Sequence, residues 1–339
     1  MAVVDALARP LRSLRVSVTD RCNLRCQYCM PEREYVWLPR DDLLHFEEIR
    51  DLVQIFVGLG VDKVRLTGGE PLLRRDLPDL VRMLAVIPGV EDLALTTNGV
   101  LLADQGRALA AAGLQRITVS LDTLQPDRFF GLTRQRNHGR VLAGIGLAAE
   151  VFHGLKIDTV VMRGINDDEL VPMLAYAQGV GAEVRFIEYM DVGGATQWTP
   201  DHVVSRAEIL GRLEQHAGAV TAIQERSTAP ADRFSLPGGQ VFGIIASTTS
   251  PFCGTCDRSR LTADGLWFLC LYATQGTDLR RLVRDGAPPA AIEALIRERW
   301  EPRADRGAEL RVADRHRGAF VPVEALKKEP HLEMHTRGG

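Results

Sequence analysis

Between residues 15 and 190 the chain alternates extended and helical patterns six times, and this rhythm restricts the fold more than any other feature. RVSVTD (15–20) alternates and is β-branched, which predicts a strand. FEEIRDLVQIFVGLG (46–60) places apolar residues at helical spacing and stops at Gly60. Strands are then expected at 63–69, 92–99, 116–122, 155–164 and 183–190. Helices are expected at 77–87, 102–113, 137–151 and 167–179. Strands separated by helices at intervals of roughly 25–40 residues imply parallel pairing through crossovers. Six such strands suit an open doubly wound sheet or an incomplete barrel, and pattern alone does not choose between them.

After about residue 195 the rhythm weakens. A short helix is expected at 207–213, strands at 240–247 and 265–271, and helices at 279–286 and 289–300. The expected organisation is therefore a main unit over 1–195, a smaller region over 196–325 and a tail over 326–339. A chain of 339 residues can bury a large core. Its apolar share of 45% and charged share of 25% are ordinary for a globular protein. A net charge of −3 gives no general attraction to nucleic acid or to anionic lipid. No apolar run is long enough to span a bilayer. The opening MAVVDALARPLRSLR has an early Asp5 and no apolar stretch, so a cytoplasmic setting is expected.

The six cysteines form two groups of three with none left over: Cys22, Cys26 and Cys29, then Cys253, Cys256 and Cys270. A CxxC pair is often a structural zinc site, but structural zinc takes four protein ligands. No histidine lies close to either triad in sequence; the nearest after Cys29 is His45, inside a helical pattern. A reducing compartment disfavours disulfides. Iron–sulfur clusters are held by thiolates, usually one per iron, so three thiolates leave one iron of a 4Fe–4S cluster open to a small molecule. Two such clusters are the preferred reading, with zinc sharing more distant ligands as the alternative. The first triad follows a strand, which places it at the strand's C-terminal end, where parallel α/β architectures gather ligands.

CxxxCxxC with Tyr28 before its last cysteine resembles the signature of the radical S-adenosylmethionine (SAM) superfamily. The resemblance implies a full or partial βα barrel, and six strands favour an incomplete (βα)6-type TIM-like barrel. It also implies SAM bound through the open iron and cleaved reductively to a 5′-deoxyadenosyl radical. LTGGEP (66–71) resembles the superfamily's Gly-Gly-Glu-Pro motif, which makes Gly69 and Glu70 SAM-binding candidates. Ser120 and Met190, at the ends of later strands, match further SAM-contacting positions.

The second triad narrows the family. FCGTCDRSRLTADG (252–265) followed by Cys270 is similar to molybdenum cofactor biosynthesis protein A, the GTP 3′,8-cyclases. The similarity extends through LRVSVTDRCNLRCQYCMP (14–31), KVRLTGGEPLLRRDL (63–77), KIDTVVMRGINDDE (156–169) and RFIEYMD (185–191) to the closing Gly338-Gly339. It implies hydrogen abstraction from C3′ of GTP and closure onto guanine C8. The second cluster then holds the guanine, and a cyclic pyranopterin monophosphate synthase acts next. An electron donor and a homodimer are also implied.

Singly, a cation inside an α/β strand is more often a surface or edge residue. The resemblance assigns Arg15, Arg65, Thr96, Lys156, Arg258, Ser259 and Arg260 to GTP, with Thr97 a rival to Thr96 from sequence alone. It assigns catalytic positions to Arg15, Gly338 and Gly339, the tail reaching the substrate pocket; Arg337 beside the glycine pair is then expected to near the triphosphate. Two residues depart from the family pattern: Asp257, where Asn or Thr is usual, and Arg337, where Ile is frequent.

Overall fold

The computed structural model describes residues 3–225, 228–314 and 316–338. Its strands are β1 Ser13–Ser17, β2 Lys63–Thr67, β3 Asp92–Thr97, β4 Arg116–Ser120, β5 Lys156–Val161 and β6 Glu183–Glu188. Six more follow: β7 Thr221–Ala222, β8 Asp232–Ser235, β9 Val241–Ile245, β10 Arg258–Leu261, β11 Leu266–Phe268 and β12 Thr277–Asp278. All belong to one sheet, ordered β12-β11-β10-β1-β2-β3-β4-β5-β6-β9-β8-β7.

The parallel run is longer than the six strands expected. β9 adds beside β6 and β10 beside β1, both parallel, giving eight parallel strands from β10 to β9. The later part of the chain therefore extends the sheet at both edges, with antiparallel hairpin strands outside it. β10 was not expected because RSRL carries two arginines among four residues. Its alternation is nonetheless that of a strand with a polar inner face.

The strands are apolar toward the helices and polar inward. Leu14, Val16, Val64 and Leu66 are buried in the core, while Arg15, Lys63 and Arg65 line an interior cavity. The helix Phe46–Gly58 shows the complementary face: Ile49, Leu52, Val53 and Phe56 are buried at one-turn spacing. It starts where Glu48 accepts from the His45 N–H at 2.7 Å. The helix Pro126–Thr133 lies in a segment the sequence pattern left between elements. Among the described residues no helix is long and apolar enough to cross a membrane.

Candidate active site

The sheet encloses a cavity of about 600 Å³, and all six cysteines border it. The first triad sits in the loop that leaves β1. Across from it, the backbone of the turn after β2 comes close: Gly69 N–H donates to Thr19 O at 2.9 Å and Glu70 N–H to Arg21 O at 2.7 Å. A Cβ at Gly69 would lie 2.4 Å from Arg21 O, so only glycine allows this approach. The Glu70 carboxylate points behind the wall. It accepts from Leu72 N (3.0 Å), Thr97 Oγ1 (2.7 Å) and Asn98 N (2.7 Å), tying the loops after β2 and β3 together. Burial pushes this carboxyl up to about 7.

Tyr28, Ser120 and Met190 also border the cavity. The Tyr28 hydroxyl bonds to Asp122, which burial pushes up to about 6. Cys22 Sγ receives Leu24 N–H at 3.5 Å and Asn98 Nδ2 at 3.9 Å. Burial pushes the Cys22 thiol up to about 12. Cys29 is also raised, first through its hydrogen bond with Cys26 and then through burial.

The second triad is assembled from separate elements. Cys253 opens a short turn, Cys256 precedes β10, and Cys270 follows β11. Arg9 donates to Cys253 O (2.9 Å), Arg303 to Cys256 O (3.1 Å), and Tyr272 N–H to Cys270 Sγ (3.4 Å). Arg258 Nη2 reaches Cys256 Sγ at 3.6 Å. Burial raises the Cys256 thiol, but Arg258 and Arg303 outweigh it and bring it down to about 7. Burial raises Cys253, and it raises Cys270 to about 11.

All six thiols are free. Among the described residues, no three Cys, His, Asp or Glu side chains converge on a single ion. A four-iron cluster bound by one thiolate per iron asks for something else: three sulfurs spread around a volume, with N–H donors aimed at them. Each triad brings three thiols to the cavity, with N–H groups directed at Cys22 in the first and at Cys256 and Cys270 in the second, and this fits that chemistry.

Between the triads the inner face of the sheet is cationic. Arg15, Arg65, Lys156, Arg258 and Arg260 all border the cavity. Burial, then the neighbouring arginines Arg260, Arg65 and Arg258, depress Arg15 well below the ordinary guanidinium range. Burial brings Arg65 and Arg260 to about 10 and Lys156 to about 8. Arg65 Nη1 donates to Thr96 Oγ1 (3.0 Å) and Thr118 Oγ1 (3.1 Å). Thr97 borders the cavity too, but its hydroxyl is committed to Glu70.

Ser259 falls on the opposite face of β10, fully buried, and does not border the cavity. Asp257 borders it and accepts from Thr228 Oγ1 at 2.7 Å. Lys63, Arg116, Asp158 and Arg185, among the charged residues that border the cavity, were not expected there. Their signal was present, since each sits at an alternate position of a strand on the face that carries Arg65 or Lys156. Asp158 Oδ1 is buried without a hydrogen-bond partner.

The chain's end enters this region. Gly338 O accepts from Arg260 Nη1 (2.6 Å) and Arg15 Nη1 (3.3 Å). Gly338 has φ +66°, and a Cβ there would lie 2.2 Å from Thr67 Cγ2. Gly339 lies outside the described residues. Arg337 departs from expectation. It is 1% exposed, lies over the Phe268 ring at 4.2 Å, and donates to His331 O (2.5 Å) and Leu271 O (2.8 Å). Its guanidinium fastens the tail and does not border the cavity.

Residues 16–177 match the family model of the radical SAM superfamily, and residues 182–309 match that of Molybdenum Cofactor Synthesis C. The chain is 56% identical to GTP 3′,8-cyclase 1 of Mycobacterium tuberculosis over 99% of this chain and 95% of that one. It is 43% identical to the GTP 3′,8-cyclase of Aquifex aeolicus over 99% of this chain and all of the relative (100%). Among solved structures, Streptococcus suis SuiB bound to S-adenosylmethionine shares the fold. The TM-score is 0.57 at 15% identity, covering 84% of this chain and 68% of that one.

Proposed function

Because this chain belongs to the GTP 3′,8-cyclase family of radical SAM enzymes, we propose that it catalyses the first step of molybdenum cofactor synthesis with both small molecules in the one cavity. In this reading SAM lies at the first triad, and GTP lies across the cationic face with its guanine at the second. Cys22, Cys26 and Cys29 hold one 4Fe–4S cluster and Cys253, Cys256 and Cys270 hold another. The first cluster would supply the electron that cleaves SAM reductively to methionine and a 5′-deoxyadenosyl radical; removal of the C3′ hydrogen of GTP, bonding of C3′ to C8, and uptake of one further electron and proton would give 3′,8-cyclo-7,8-dihydro-GTP.

The protein's own contribution is to bind, orient and exclude water. Arg15, Arg65, Lys156, Arg258 and Arg260 supply charge-assisted donors for a triphosphate, and Lys63 and Arg185 extend the same set. Asp158 offers an acceptor among these cations, suited to a hydroxyl or amino group of the nucleoside. Ser259 contributes by its place in β10, since its side chain faces away. The Gly69 and Glu70 backbone, Tyr28, Ser120 and Met190 border SAM. Gly338 caps the pocket beside β1 and β2, and the reading gives Gly339 a part in closing it. The reading also carries a cytoplasmic homodimer, a low-potential electron donor and a downstream cyclic pyranopterin monophosphate synthase.

One observation carries the proposal: one cavity is bordered by both cysteine triads and by Arg15, Arg65, Lys156, Arg258 and Arg260, with Asp158 the acid among them. The test is anaerobic turnover of reconstituted enzyme with SAM, dithionite and GTP. Release of 5′-deoxyadenosine that depends on GTP, with the cyclised product, is expected. Zinc in place of iron, with no SAM cleavage under strong reductant, would overturn it.

A further inference from the structure

The tail reaches the cavity itself a few residues before its glycine pair. Met334 and His335 both border the cavity, and His335 is 5% exposed. Neither ring nitrogen of His335 has a hydrogen-bond partner. Burial, with Arg25 nearby, pushes the imidazole down to about 3, so the ring is neutral and offers one donor and one acceptor.

Its location is set by two anchors. Met334 N–H donates to Gly193 O at 3.0 Å, in the loop just past Met190. The ring stands edge-on to Tyr35, with centroids 5.3 Å apart, and against Trp37 at 5.6 Å. Tyr35 and Trp37 belong to the loop that continues from the first triad. Glu333 Oε2, 3.9 Å from the His335 Nδ1, is likewise buried without a hydrogen-bond partner. Buried polar atoms are nearly always satisfied in native proteins. A cavity-lining ring with both nitrogens unsatisfied marks where a polar ligand completes the bonding. A ring that served only to pack against two aromatics would need no nitrogens.

We propose that His335 is a SAM-binding residue, delivered by the tail to hydrogen-bond the amino-acid or ribose moiety of SAM at the first triad. The inference rests on the reading of that triad as the SAM site. It gives the tail two grips on the chemistry: Gly338 at the nucleotide and His335 at the sulfonium cosubstrate.

The test compares His335→Phe, which keeps the ring contacts, with His335→Gln, which keeps a hydrogen-bonding group. The readouts are the Kd of SAM on reconstituted enzyme without reductant, the Kd of GTP, and the SAM-induced change in the electron paramagnetic resonance signal of the reduced cluster. His335→Phe is expected to weaken SAM by about tenfold, the scale of one buried hydrogen bond. GTP affinity is expected to stay within about twofold and His335→Gln to recover much of the loss. His335→Phe with wild-type SAM affinity and an unaltered signal overturns the inference. If the phenylalanine variant does not fold, His335→Gln with SAM affinity weakened as far as in His335→Ala overturns it too. Wild-type enzyme that cleaves no SAM in response to GTP would instead sink the functional reading, a separate result.

Discussion

The two cysteine triads are built by opposite means. The first occupies eight consecutive residues of one loop, and its surroundings are backbone turns with Arg25 balanced by the acids Glu70 and Asp122. The second is gathered from three places and ringed by Arg9, Arg258 and Arg303. The thiols register the difference: burial lifts Cys22 to about 12, while two guanidiniums bring Cys256 to about 7 against burial. A site shaped by backbone suits a zwitterion whose charges it meets with N–H and C=O groups. A site shaped by guanidiniums suits a polyanion, and the same charges that would hold phosphates also favour the thiolate.

Replacing one cysteine at each end gives the largest contrast. Cys26→Ser is expected to lose about half the iron and all SAM cleavage. Cys256→Ser is expected to lose a similar share of iron yet to cleave SAM without forming cyclised product. Iron analysis and 5′-deoxyadenosine measurement check both, and equal loss of SAM cleavage would erase the distinction. Next in size, Arg260→Ala should lower kcat/KM for GTP by about 10²–10³, since it removes charge-assisted bonds to substrate and the support of Gly338 O. Steady-state kinetics should show the SAM parameters far less changed.

Gly338→Ala forces a side chain into a positive-φ position against Thr67 and should cost about tenfold in turnover. Wild-type turnover would mean the tail leaves its seat during reaction. The smallest effect is one of pH. Burial holds Lys156 at about 8, and a bound phosphate favours its charged form. GTP affinity should therefore be full below that value and fall as pH rises through it, by up to about tenfold per pH unit. The slope should flatten in Lys156→Arg, as titration of GTP binding between pH 7 and 9 would show.

Much of this molecule was legible because each of the first six strands carries apolar residues on its helix-facing side and each following helix repeats them at one-turn spacing. β10 was hidden because its inner face is arginine and its partner β1 lies at the other end of the chain; no local pattern announces such a pairing. The six cysteines were readable by spacing alone. Lys63, Asp158 and Arg185 were visible in the strand alternation, yet a charge in a strand becomes a cavity residue only when the sheet curves round it. Arg337 defeated expectation because composition records a cation, while its direction is set by Leu271 O and the face of Phe268. His335 gave no sequence signal beyond being a histidine near the end.

The carbonyl of Gly338 rests on Arg15, a residue 323 positions earlier, and β1 pairs with β10 across most of the chain. Synthesis proceeds from the N-terminus and domains fold as they emerge, so the wall beside β1 is complete only after β10 and the Gly338 carbonyl have been made. The first cysteine loop therefore waits longer than any other part of the site for its neighbours.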